Sequence, residues 1–136
     1  MDNPLFIGSC RMGDRPRIAA IVDKICPVPV LNGLAARGAD LAEARVDLWQ
    51  TGLEASVDYL QTLRTAASVP IIGTVRETPD NRENRQHWFQ AIMPFVDAVD
   101  VEIDTPIAPE IVSIAQGKIV IVSEHDFQKT PDAKEL

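Results

Sequence analysis

Leu41-Ala42-Glu43-Ala44-Arg45-Val46-Asp47 is the stretch that decides the fold. It reads as a β-strand in which charged and apolar residues alternate, so Glu43, Arg45 and Asp47 share one face and Ala44 and Val46 the other. An open parallel sheet is covered by helices on both faces, and a charged row on either face would be costly to bury. The inside of a closed parallel barrel, near the C-terminal ends of its strands, tolerates such a row because a polar ligand sits there.

Strands and helices alternate on both sides of this stretch. Residues 17–22 (Arg-Ile-Ala-Ala-Ile-Val) form a short apolar run suited to a buried strand, and residues 30–37 have helical character, with Gly38 as the C-cap. Leu53, Val57, Leu60 and Leu63 recur at helical spacing within 53–66. Residues 69–76 read as a strand with Pro70 at the tolerated entry position. Residues 84–95 predict a helix with Trp88, Ile92 and Phe95 on one face, and 98–103 the next strand. Thr105-Pro106 has the cap chemistry of a helix start, Gly117 closes that helix, and 118–123 is the fifth strand. Thr130-Pro131 has the same cap chemistry and reads as the start of one more helix. The expectation is an α/β protein of the (β/α)8 TIM-barrel type, a single domain over 1–136 that is truncated after about five of the eight units. A Gly-rich GxGxxG nucleotide loop, which would favour an open sheet, is missing from the sequence.

Composition narrows the function. The 136 residues are 46% hydrophobic and 24% charged, the balance of a globular protein with one core. The net charge of −7 argues against nucleic acid as a partner, and Arg11, Arg15 and Arg17 read as a solvated basic turn. Cys10 and Cys26 lack CxxC or metal-ligand spacing and read as free thiols, so no metal and no cofactor is expected. Apolar runs are too short to span a membrane, residues 2–10 lack the features of a signal peptide, and a cytoplasmic location is expected.

The strand ends carry Glu43, Arg45 and Asp47, then Arg76, then Asp100 and Glu102, then Ser123 and His125. In a parallel barrel these ends meet on one face, and the groups would ring a single polar pocket for a small molecule. Two arginines suit a carboxylate or polyhydroxy ligand, because a guanidinium offers paired donors in fixed geometry. His125 is a candidate general acid/base. Each group also has a structural alternative. His125 can be a structural hydrogen-bonder, Glu43 and Arg45 can form an internal ion pair, Asp100 can hold loop amides, His87 reads as a surface or packing residue of a helix, and Lys118 as a solvated one.

Taken in order, Glu-Ala-Arg-Val-Asp at 43–47, Gly-Thr-Val-Arg at 73–76, Asp-Val-Glu-Ile at 100–103 and Ser-Glu-His-Asp-Phe-Gln-Lys-Thr-Pro at 123–131 resemble the type I 3-dehydroquinate dehydratases, from about Arg17 to Leu136. The resemblance implies a (β/α)8 barrel that dehydrates 3-dehydroquinate to 3-dehydroshikimate in the shikimate pathway, through a lysine Schiff base and a histidine general acid/base. It makes His125 the catalytic histidine, Glu43 and Arg45 the pair that orients substrate hydroxyls, and Arg76 a further substrate contact. The family's imine-forming lysine lies on a sixth strand, which neither Lys129 nor Lys134 matches. Glu124 stands where the family usually has an aromatic residue, Asn or His. The acid that orients the histidine corresponds to Asp80, Glu77 or Glu83. The expected consequence is a chain inactive alone, whose open sheet edges pair with a second copy or with a missing C-terminal half. The alternative is a non-catalytic half-barrel that binds or senses quinate-like hydroxy acids.

Overall fold

The structure, a computed structural model, describes residues 3–130 and 132–134. Its first element is a hairpin absent from the sequence expectation. Strand β1 (Leu5–Ile7) pairs antiparallel with β2 (Cys10–Met12), and Gly8 turns the chain at φ +55°. A Cβ on Gly8 would lie 3.0 Å from Pro70 Cβ and 3.1 Å from Asp97, so the turn seats closely at the start of later strands.

Five strands then run parallel in chain order: β3 (Ala19–Val22), β4 (Leu41–Arg45), β5 (Ile71–Thr74), β6 (Ala98–Glu102) and β7 (Ile119–Ser123). Between them lie α1 (Val28–Asn32), α2 (Leu53–Ala67), α3 (Arg85–Ile92) and α4 (Ala108–Ile114). Alternation along the strands gives the sheet two different faces. One face presents Val22, Ala42, Ala44, Ile71, Val75, Val99 and Val101 to Leu31, Leu60, Leu63, Phe89, Ile92 and Ile111 of the four helices. The other presents Leu41, Ile72 and Ala98 to Ile7 and Cys10 of the hairpin, and further along the strands it turns charged. A doubly wound sheet reverses its strand order and takes helices on both faces. Unbroken order with the helices on one face is the geometry of a barrel wall. The hairpin floors that wall at the N-terminal ends of the strands.

Gly73 explains how closely α3 approaches. A Cβ there would come within 2.9 Å of Ile92 Cδ1 and Val96 Cγ1, both on fully buried residues. On α3 the buried stripe is Arg85, Phe89 and Ile92, with Trp88 only half-buried, so the apolar face is turned from the expected Trp88–Ile92–Phe95 line.

Several boundaries differ from expectation, each for a local reason. The first helix is shorter and earlier than 30–37. It ends at Gly33, and turns fill 33–38 until Gly38 redirects the chain at φ +103°. Thr105 does not cap α4, because its hydroxyl bonds the Glu102 carbonyl at 2.9 Å and turns the chain off β6. Gly117, at φ +81°, closes the segment as expected. Lys118 is not solvated: it is half-buried, and its Nζ donates to the Val96 carbonyl at 2.8 Å. In the basic cluster Arg17 is mostly buried rather than free in solvent, pairing with Asp14 at 2.9 Å and Asp40 at 3.7 Å. The helix expected from Thr130 falls partly on Pro131, Glu135 and Leu136, which lie outside the described residues.

Candidate active site

The charged part of the helix-free face opens as a cleft of about 600 Å³ at the C-terminal ends of β4 to β7. Glu43, Arg45, Arg76, Asp100, Glu102 and His125 line it, with Ile21, Glu77 and Phe127 at its edges. All four residues expected to form the site, Glu43, Arg45, Arg76 and His125, therefore meet in one place. Parallel register causes this: Arg45 lies opposite Thr74 and Thr74 opposite Asp100, so residues just past each pairing emerge at the same level.

Asp47 departs from the expected row. Strand β4 ends at Arg45, and Val46–Leu48 form one tight 3-10 turn that folds Asp47 back beneath Arg45. Arg45 Nε and Nη2 donate to the two Asp47 oxygens at 3.2 and 2.9 Å, and the Asp47 side chain is only 2% exposed. Arg45 is thus clamped by Asp47 in a bidentate pair, in place of the internal pair with Glu43 that the sequence left open. Those bonds raise the Arg45 pKa above its ordinary value against the opposing effect of burial, with the charges of Asp47, Glu43 and Asp100 helping. Glu43 stays half-buried on the cleft wall beside it.

Arg76 stands at the centre. Its Nη1 pairs with Glu102 and, at 3.2 Å, with Asp100, while its Nη2 lies 2.8 Å from His125 Nε2. A guanidinium has only donors, so Nε2 accepts. His125 is exposed, and in this arrangement the Nε2 lone pair faces the Arg76 guanidinium at the cleft. The ring lies near parallel to Phe127, with centroids 6.3 Å apart. Asp100 does not hold loop amides. Its Oδ1 accepts from Ser123 Oγ at 2.6 Å.

Arg85 is a residue that sequence patterning passed over. It is buried at the first turn of α3, 3% exposed, and its Nε donates to the Val75 carbonyl at 2.6 Å while Nη2 pairs with the second oxygen of Glu102. Glu102 therefore bridges two arginines. Burial alone would raise its pKa, but the bonds from Arg76 and Arg85 outweigh burial and hold the carboxyl below its ordinary value. The only sequence signal for Arg85 is its position four residues before Phe89, whose ring its guanidinium overlies at 5.5 Å.

None of the acids considered for orienting His125 is among its hydrogen-bond partners, Arg76 and Ser123. Glu77 edges the cleft and pairs with Arg82 at 3.4 Å, Asp80 faces a neighbouring cleft with Asp47, Thr51 and Trp88, and Glu83 is exposed. Buried Asn81 fixes the intervening loop by donating to the Arg76 carbonyl at 2.9 Å and accepting from the Thr78 amide at 2.9 Å. Among the described residues, no three His, Cys, Asp or Glu are grouped to hold a metal, and no helix is long and apolar enough to cross a membrane. Cys10 is buried and Cys26 half-buried, both as free thiols.

A sheet wound in one direction, with helices outside and charged groups at the C-terminal strand ends, defines a protein of the TIM-barrel-like α/β class. Within that class the chain belongs to the type I 3-dehydroquinase family, whose model matches residues 28–136. The 3-dehydroquinate dehydratase of Methanococcoides burtonii is 34% identical over 143 residues, an alignment covering 97% of this chain and 61% of that protein. That of Thermodesulfovibrio yellowstonii is 35% identical over 106 residues, covering 74% of this chain and 46% of the relative. The crystal structure of the 3-dehydroquinate dehydratase from Aquifex aeolicus VF5 superposes with a TM-score of 0.71 at 25% identity, over 86% of this chain and 57% of that one. The chain thus spans roughly half to three-fifths of the length of these relatives.

Proposed function

We propose that this chain supplies the histidine side of a 3-dehydroquinate dehydratase site, for the conversion of 3-dehydroquinate to 3-dehydroshikimate by loss of water. The observation that carries this is His125 Nε2, held by Arg76 inside a cleft that also contains Arg45 and Glu43. His125 takes the proton from the carbon beside the substrate ketone and returns it to the departing hydroxyl. Glu43 and Arg45 orient ring hydroxyls, with Asp47 keeping the Arg45 guanidinium in plane. Arg76 engages the substrate's polar groups as a paired donor.

The imine that acidifies the reacting C–H requires a lysine amine in the cleft. Among the described residues, no lysine lines it. The 136 residues are taken as one domain in the cytoplasm that acts with a second copy or a complementary C-terminal half. Partner strands would add at the free edges of β3 and β7, where Ile21 is 63% and Val122 47% exposed. Borohydride reduction in the presence of 3-dehydroquinate tests the assignment. The chain alone should keep its mass, and a covalent adduct would show that one of its own lysines forms the imine and would overturn the expectation of inactivity.

A second reading rests on the paired donors in the cleft: a non-catalytic protein that binds or senses quinate-like hydroxy acids with Arg45 and Arg76. Calorimetric titration with quinate separates the two from a protein with no ligand. Absence of binding removes the sensor, and turnover by the chain when a lysine-bearing half is added favours the enzyme.

A further inference from the structure

We propose that Ser123 is a positioning residue for His125: its hydroxyl receives the Nε2–H once that nitrogen has taken a proton, and Asp100 anchors the hydroxyl from behind. The role rests on His125 being the base of the proposed reaction. Ser123 ends β7 opposite Glu102 and on the cleft face. Its single hydrogen goes to Asp100 Oδ1 at 2.6 Å, so the Oγ that stands 3.3 Å from His125 Nε2 turns only lone pairs toward the ring. Arg76 Nη2, 2.8 Å from the same nitrogen, has only hydrogens to give.

The two neighbours of Nε2 are therefore complementary. Unprotonated Nε2 bonds Arg76, and protonated Nε2 has to leave Arg76 for Ser123. When a substrate proton moves, the C–H bond breaks and the N–H bond forms. The electron pair stays with the substrate, where the adjacent carbonyl or imine takes it up. Arg76 repels the imidazolium that results. Ser123 accepts its hydrogen, and Asp100, already shared with Arg76 at 3.2 Å, stabilises the positive charge through the hydroxyl. The charged groups facing the ring's cleft are Glu43 and Arg45 at β4, Arg76 and Glu77 after β5, and Asp100 and Glu102 on β6. Glu124 and Asp126 flank His125 in sequence.

Long-range proton–nitrogen correlation spectra of the nitrogen-15-labelled full chain test this, because the chain has two histidines and exposed His87 on α3 serves as the internal reference. Without ligand at about pH 8, where a free imidazole is neutral, His125 should carry its proton on Nδ1 and leave Nε2 bare. In Ser123→Ala the half-protonation point of His125 should fall by about half a unit or more, a threefold loss in its protonation constant, with His87 unmoved. Ser123→Thr, which keeps the hydroxyl, should restore it, and Asp100→Asn should lower it as well. A Ser123→Ala chain that titrates at the wild-type point overturns the proposal, as does a Thr variant that behaves like Ala. The readout needs no turnover. Failure of quinate binding with the Ser123 effect intact would count against the dehydratase reading and leave this coupling standing.

Discussion

Replacing Arg85 by methionine tests whether the polar seam between α3 and the sheet is a structural anchor. Methionine keeps an unbranched stem over Phe89 and removes the guanidinium, so three interactions are lost: the bond to the Val75 carbonyl, the pair with Glu102 and the weaker contact of the cation with the Phe89 ring. A hydrogen bond from a charged donor is worth about 1.5–3 kcal/mol, and the Val75 carbonyl would be left in a site where Arg85 itself is 3% exposed. Breaking a buried ion pair by removing one partner costs about 3–5 kcal/mol when the other charge is stranded. Glu102 is not stranded, because Arg76 still holds it, and removal of a buried cation also relieves a desolvation penalty. The net expectation is about 2–3 kcal/mol of lost stability, near the lower end of those costs. Urea unfolding followed by the fluorescence of Trp49 and Trp88 reads it as a fall of about 1 M in midpoint with an unchanged slope. A double-mutant cycle with Glu102→Gln should return a coupling of about 1 kcal/mol or more. A loss below about 0.5 kcal/mol, within the scatter of neutral surface changes, would refute the reasoning and show that relief of desolvation cancels the lost interactions.

Gly73→Ala should destabilise the chain by about 1–3 kcal/mol, because the new methyl enters the space of Ile92 and Val96; a calorimetric melting point at or above wild type would contradict the close approach of α3. Glu102 makes stability depend on pH. Its carboxyl is held below the reference value of 4.5, so its contribution is fully present above that value and is lost as pH falls through the lowered folded value. The acid limb of urea stability should accordingly be shallower in Glu102→Gln, and an unchanged limb would remove Glu102 as its source. Arg76→Lys replaces a paired planar donor by a point charge and should weaken quinate binding about tenfold by calorimetry; equal affinity would take Arg76 out of the ligand site.

The strands were legible in the sequence because short apolar runs bounded by turn residues are what a buried parallel sheet requires. So was the meeting of Glu43, Arg45, Arg76 and His125, since parallel strands bring their C-terminal ends to one level. Periodicity carried the β4 row one residue too far. Alternation continues to Asp47, but the hydrogen-bonded ladder stops at Arg45 opposite Thr74, and a 3-10 turn then reverses the next carboxylate. Arg85 escaped because a charged residue on a helix reads as solvated, and partners distant in sequence, the Val75 carbonyl and Glu102, make its burial favourable. Lys118 escaped because a lysine just ahead of a strand reads as solvated, whereas its partner is the carbonyl of Val96. The hairpin escaped because strands of three residues are too short to show a period.

Every hydrogen-bonded neighbour of a strand in the parallel sheet is also its neighbour in the chain, with partners separated by roughly 20 to 30 residues. No pairing waits for a distant segment, which keeps the entropy of each loop closure small. During synthesis β3, α1 and β4 can settle while β6 and β7 are still inside the ribosome, each new unit docking on a template already formed. In evolutionary terms, units can be added or shed at the free edge without re-threading the strands that remain.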